Sequence, residues 1–465
     1  MSLLLLLSCA VSDDLVIDTA DTADTADTSI ENDGSYSVVS ALSGENSVSY
    51  SGQSFRHLLI SDLTLYTDGL TERLNAGDYY PAQGDVSKDL DFYLSFDSST
   101  SGAIPPLLST DPALLQESYD AVSSDKDILG KLAGNDATGQ HVDWNTQGIA
   151  GWPENPTPQA LVEQWSGKLD AQAAAWVQGN YPLQPDGTAV TQVYITENGQ
   201  DLKQLMDKFL RGGVAYSQGT DDYLDSDTEG KGLLSDHTAV EEGKSYTALE
   251  HAWDEGFGYF GATPTYNSWS DEEIADGAKD VDGDGRIDLK SELVFGHAVN
   301  AAKRDLGATS ATDYSAQAFE AFLNGRLLLA ETAGTELSSE QMSELEGYRD
   351  QAVLAWELAI ASTAVHYIND VLQDTSATEY DFEGHAKHYA ELKGFALILQ
   401  FNPHSPMSDA QFSELHTLLG VAPVQPNDFG FEVYKTSLLN ARTLLQEVYG
   451  FESANMGDEN GEGGW

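Results

Sequence analysis

Apolar residues return at three- and four-residue intervals through most of this chain, and that spacing points to helices. Within 56–75, Leu58, Leu59, Leu63, Tyr66 and Leu70 form one stripe. Residues 157–178 open on Thr157-Pro158, a helix-start signal, and run through Leu161, Trp165, Leu169 and Trp176. Leu202, Leu205, Met206 and Leu210 carry the pattern through 200–217. The longest run, 338–373, sets Leu345, Ala352, Trp356, Ala359, Ile360 and Val371 near helical spacing. Further helices are expected near 247–260, 290–306, 313–331, 378–400, 408–419 and 431–449. Strand-like alternation is nearly absent; Gln192 to Thr196, ahead of Asn198-Gly199, reads as one strand or hairpin arm. No repeat of solenoid period interrupts the body. The expected fold class is therefore all-α: one or two helical bundles with long loops, filling residues 51–450.

Charge narrows the function. The 465 residues carry 22 Lys and Arg against 76 Asp and Glu, a formal net charge of −54. Such a surface repels phosphate, which excludes an ordinary nucleic-acid binder and docking on anionic lipid through a basic patch. It favours solubility, cation binding or life in salty water. The single cysteine, Cys9, allows no intrachain disulfide, no Cys₄ or Cys₂His₂ zinc site and no catalytic thiol in the body.

That cysteine has a context. Leu6-Leu7-Ser8-Cys9 resembles a bacterial lipobox, where a lipid is attached to cysteine and the preceding segment, residues 1–9, is largely removed. The five leucines before it are short for a signal core and have no Lys or Arg, as a start site further upstream would explain. From Met1 to Phe55 the chain has nine acids and no base, including an Asp-Thr-Ala repeat at 18–28. Like charges and few apolar groups make 10–50 an expected disordered acidic linker, a leash between a lipidated Cys9 and the folded domain. No stretch approaches ~20 apolar residues, so a lipid anchor is the expected tie to the membrane rather than a spanning helix. Residues 451–465, acidic and glycine-rich, are expected to fray as a disordered tail.

The sharpest chemical signal is Asp280-Val281-Asp282-Gly283-Asp284-Gly285-Arg286-Ile287-Asp288. Calcium takes six to eight oxygens, and aspartates at loop positions 1, 3 and 5 turn three carboxylates inward. Gly285 permits the turn at position 6, the Arg286 carbonyl occupies position 7, Asp288 position 9, and Ile287 packs the loop to the body. A helix leaving near Leu289 would complete an EF-hand-like unit. Position 12, however, is Ser291, and the required glutamate arrives one residue late as Glu292. Either the loop bulges by one residue or another oxygen closes the site.

Histidines and acids on helix faces supply a second set of candidates. Thr247 to Glu250 is a capping box, and the helix it starts puts His251 and Glu255 on one face. His366 lies in the long helix; His388 and Glu391 form His-x-x-Glu in the next one. His297, Asn300 and Arg304 line one face of the helix after the calcium loop. Arg326 sits on an apolar stripe and, if buried, needs an acid partner such as Glu255. A histidine and a carboxylate one turn apart on facing helices is how bundles hold iron or zinc. The competing reading is a buried polar network that fixes helix register. His57, His141, His237, His404 and His416 are expected at the surface or in loops. His-Glu-x-x-His and Gly-x-Ser-x-Gly are both absent from the sequence.

The segments Tyr50 to Arg56, Thr247 to Gly261, Asn300 to Asp305, and Leu392 to Ala396 through Gln400 to Pro403 resemble a family of bacterial lipoproteins known as a domain of unknown function, over about 45–450. More distantly the family resembles imelysin-type iron-regulated lipoproteins, helical bundles with a Gly-x-His-x-x-Glu motif. Here Ala386 stands two before His388, and Leu249 two before His251, where that motif has glycine. The resemblance implies a lipid-anchored protein of the bacterial outer membrane or cell surface, facing outward or into the periplasm. The expected function is non-enzymatic binding of a metal ion or small solute, plausibly in iron acquisition, with a separate structural calcium ion. The alternatives are a metal-dependent peptidase or hydrolase using His251/Glu255 or His388/Glu391, and a calcium-dependent adhesion or structural protein.

Overall fold

A computed structural model describes residues 32–136, 139–426 and 428–465. It is helical, and among the described residues no strand forms, only isolated bridges. Gln192 to Thr196 is accordingly no strand; Ile195 makes a single bridge to Asp201. The lipobox, Cys9 and the Asp-Thr-Ala repeat lie outside the described residues.

The architecture is organised by one long helix, Ser339–Ser376. Its 38 residues span roughly 57 Å at 1.5 Å per residue. Ser338 and Gln341 close its N-terminus with a reciprocal capping box. Around it pack Gly296–Gly307, Tyr314–Thr332, Phe382–Ile398 and Phe431–Tyr449. A second group adds Ser51–Asp68, Pro158–Trp176, Leu202–Leu210 and Ala248–Phe260. One hydrophobic cluster runs from Tyr36 to Trp465 through both groups, so the helices share a single core.

Local sequence explains where helices begin and end. Thr157 caps the helix that Pro158 opens, accepting the Ala160 N–H at 3.2 Å. The expected 56–75 helix is broken at Gly69 into Ser51–Asp68 and Leu70–Ala76. The expected 200–217 helix remains α-helical only to Leu210 and widens into π-turns over Arg211–Tyr216 and Gly219–Tyr223. Gly212 allows this bend to lie against Phe382–Ile398, because a Cβ there would stand 2.0 Å from Ile398 Cγ2. The turns place Arg211 beside Asp207.

Three expectations need correction. Residues 32–50 are not part of a disordered linker: Tyr36 is buried and stacks on Phe257 with 3.7 Å between ring centroids. Residues 451–465 are not a fraying tail, because Phe451, Met456 and Trp465 are buried. The Trp465 indole donates to the Arg304 carbonyl at 3.0 Å, and Asn369 donates to the Trp465 backbone oxygen at 3.0 Å. Large aromatic residues at the two ends of the folded region outweigh the acidic composition between them. Finally, no helix leaves the 280–292 loop near Leu289; the next begins at Gly296.

Candidate functional site

The 280–292 loop is the first candidate. Asp280, Asp282 and Asp284 each present an oxygen, and the three oxygens lie within 4.8 Å of one another. Among the described residues no other group of three His, Cys, Asp or Glu converges this way. The two Asp280 oxygens accept the N–H groups of Gly283 (2.8 Å) and Gly285 (3.0 Å). Asp282 accepts from Asp284 N and Asp284 from Arg286 N. Gly285 adopts φ +81°, a conformation an L side chain resists. Ile287 is buried and exchanges backbone bonds with Ala113 (3.0 Å) and Leu115 (2.8 Å).

Glu292 lies inside the loop. Its Oε1 accepts from Val281 N (2.7 Å) and Asp282 N (3.2 Å), and its Oε2 from Asp288 N (2.9 Å). The loop is drawn around the late glutamate, while Asp288 faces Gln116 at 2.7 Å. The Arg286 side chain reaches Glu117 at 2.8 Å. At its base Ala278 bridges Leu293, and Val294 N bonds the Gly277 carbonyl at 2.7 Å.

The second candidate set separates into two places. Arg326 is fully buried, and its partners are Glu250 (2.8 Å) and Asp254 (2.9 Å), with Ser47 on its third nitrogen; Glu255 is not among them. Asp254 also accepts from the Tyr36 hydroxyl and Ser49 N. Burial pushes the Asp254 carboxyl up to about 6 against the pull of Arg326. His251 stacks on Tyr246, bonds the Ser49 carbonyl at 3.0 Å and stands 3.9 Å from Glu255, which accepts from Gln53. These contacts clamp residues 36–53 to the Ala248–Phe260 helix. His251 and Glu255 do not meet His388 and Glu391.

His366 and Glu391 instead line a cleft of about 570 Å³ with the base of the 280–292 loop. His388 lies behind its Tyr367 wall, bonded to Asp374 at 2.8 Å. Burial works against the charged His388 ring, yet the Asp374 bond and charge raise its pKa overall. The cleft's bases come from two helices. Lys208 and Arg211 share Asp207 at 2.8 and 2.9 Å, and Lys208 also stands 3.4 Å from Glu391. Burial would raise the Asp207 carboxyl, but Arg211 and Lys208 hold it well below the usual carboxylate range. Among the described residues, Lys303 and Arg304, on Gly296–Gly307, have no carboxylate within 4.0 Å. Arg304 is 7% exposed, and its Nε and Nη1 have no hydrogen-bond partner. Burial pushes its guanidinium down to about 10, partly offset by Tyr367 and Asp370. Burial, then Lys208 and Arg304, lower the Lys303 ammonium. Burial and Arg304 push His366 down to about 3, although Asp370 is 3.3 Å away.

His57, His237 and His416 are buried, contrary to their expected surface positions. Each bonds a backbone carbonyl, of Tyr259, Leu329 and Ala396 respectively; His237 and His416 use both ring nitrogens, while the Nδ1 of His57 is buried without a partner. Lys208, Arg211 and Lys303 went unmarked in the sequence. Scarcity was the available signal: four of the chain's 22 bases line this one cleft.

Helical packing around one core, with an aspartate loop beside a cleft lined by four bases, defines an all-α architecture. A family profile described as "Domain of unknown function (DUF4856)" matches residues 159–331. That span holds Thr247 to Gly261, the 280–292 loop, Lys208, Arg211, Lys303 and Arg304, but not His366 or Glu391. It is narrower than the 45–450 suggested by resemblance. No curated protein and no solved structure matches the chain.

Proposed function

We propose that this protein is a non-enzymatic bacterial lipoprotein, anchored through Cys9 at the outer membrane or cell surface, that binds a small solute in the cleft beside Gly296–Gly307. A calcium ion on the 280–292 loop stabilises the fold. The anchor rests on the lipobox resemblance. The solute reading rests on one observation: Arg304 buries two unpartnered nitrogens at the wall of a cleft large enough for a metabolite. Iron or zinc is the poorer occupant, because four cationic side chains would repel it.

Asp280, Asp282, Asp284, the Arg286 carbonyl and Glu292 would hold calcium, a hard cation suited to such oxygens. Ala278, Leu293 and Val294 at the loop base line the cleft, so an ion there also firms a cleft wall. Excess calcium over chelator should stabilise the chain by about 2–4 kcal/mol, read as a rise in melting temperature. Equal melting temperatures in both would remove the calcium part. The solute part is tested by Val299→Trp, which fills the cleft from one wall: it should abolish thermal stabilisation by any bound solute while leaving the calcium effect intact.

A further inference from the structure

We infer that the solute is a small oxyanion, of carboxylate or phosphate type, held between Lys303 and Arg304. This rests on the cleft being the binding site and adds the charge of what enters it. In the cleft Asp207 and Glu391 face Lys208 and Arg211. Those four groups pair with one another; with Asp276 the lining holds three acids against four bases. Lys303 and Arg304 remain, adjacent on one helix, with no carboxylate in ion-pair reach. Asp276 also lines the cleft but stands beyond 4.0 Å from both.

A buried guanidinium with free N–H groups is costly to maintain. Two like charges side by side add to that cost. A water molecule satisfies hydrogen bonds without supplying countercharge, whereas an oxyanion supplies both. Asn300, Tyr367 and His366 line the same cleft, with His366 3.3 Å from Asp370 and the Tyr367 hydroxyl engaged by Glu391, which leaves the Asn300 amide as the neutral donor. The surrounding surface argues in the same direction. In a chain of net charge −54, random placement would leave a base with acids on every side. Here the nearest acids, Glu391 and Asp276 for Lys303 and Asp370 and Asp305 for Arg304, act through their charge but none comes within ion-pair reach, and two Arg304 nitrogens are buried without a partner.

The test uses the full chain loaded with calcium, and isothermal titration with four probes: inorganic phosphate, succinate, glucose and putrescine. Phosphate or succinate should bind, and which of the two binds tells a phosphate from a carboxylate ligand. Lys303→Gln and Arg304→Gln should each weaken it at least about tenfold, with Arg304→Lys recovering part of the loss. Circular dichroism and the melting temperature of each variant establish that it is folded. Anion binding insensitive to Lys303→Gln and Arg304→Gln overturns the inference alone. Glucose or putrescine binding that Val299→Trp abolishes, with neither anion bound, also overturns it and leaves the cleft reading standing. Binding of none of the four probes removes both.

Discussion

Among the arginines this fold takes out of water, Arg326 and Arg304 are treated oppositely. Arg326 meets Glu250, Asp254 and Ser47, so each of its three nitrogens has a partner. Burial would lower its pKa, but Asp254 and Glu250 raise it overall. Arg304 is nearly as buried, lacks partners on Nε and Nη1, and has its pKa pushed down to about 10. Full pairing makes Arg326 part of the scaffold: it ties the Tyr314–Thr332 helix to Ala248–Phe260 and, through Ser47 and Asp254, to residues 36–49. Missing pairing leaves Arg304 on the wall of a cleft with two unbonded nitrogens and only the more distant charges of Asp370 and Asp305. Burial alone therefore does not separate a paired charge from an unpaired one; the count of satisfied nitrogens does.

Substitution should break or uphold that contrast most clearly at these two residues. Arg326→Met leaves Glu250 and Asp254 buried without their cation and is expected to cost about 3–5 kcal/mol in urea unfolding of the calcium-loaded chain. Arg304→Met removes a cation that has no anion, and its stability should stay within about 1 kcal/mol of wild type or rise. Equal losses in the two variants would show that Arg304 is scaffold as well, and would deprive the cleft of its special standing.

Periodicity made the helices legible because one face of each is buried in a shared core. Ala248–Phe260, Tyr314–Thr332, Asp409–Leu419 and Phe431–Tyr449 begin or end within a residue or two of their expected limits. Capping chemistry at Thr247 was readable because it is local, with both members of the box three residues apart. The packed ends were not readable. The anchors Tyr36 and Trp465 each find their pocket far away in sequence, against Phe257 and Arg304, and composition carries no record of that. The cleft was half readable. Asn300 and Arg304 share a helix face that spacing reveals, but Lys208, Glu391 and His366 reach it from other helices through tertiary packing alone. Glu255 was the wrong partner for Arg326 for a related reason: Glu250 and Asp254, four apart, share the helix face that packs on Arg326, whereas Glu255 lies on another face and meets Gln53, and only packing selects between the faces.

A third buried cation sharpens the comparison, because lysine can discharge where arginine cannot. Lys393 is fully buried, bonds His416 Nδ1 at 2.8 Å and the Gly420 carbonyl at 2.7 Å, and is pushed down to about 7 by burial. Below pH 7 both folded and unfolded chains carry the proton, and the full cost of burying it is present. Between pH 7 and about 10.5 the unfolded chain keeps the proton that the folded chain has released. The unfolded state then binds more protons, so stability rises with pH across this window. Relative to Lys393→Met, wild type should gain about 2–3 kcal/mol between pH 7 and pH 10 in urea unfolding. A difference that does not change with pH would mean that Lys393 stays charged and that burial here is compensated by its two bonds.

The smallest expected effect concerns the pair that spacing alone made most suggestive. His251 and Glu255 are one turn apart, but at 3.9 Å, with side chains 28% and 20% exposed, they sit at the edge of ion-pair range. Each is already engaged, His251 with the Ser49 carbonyl and Glu255 with Gln53. Solvent screens their mutual attraction, and a partly exposed pair of this kind contributes little. His251→Ala with Glu255→Ala should therefore cost no more than about 1 kcal/mol and should leave phosphate or succinate titrations unchanged. A loss of anion binding in that double variant would couple the 248–260 helix to the cleft across the core, and would make the division between a satisfied scaffold and an unsatisfied site too simple.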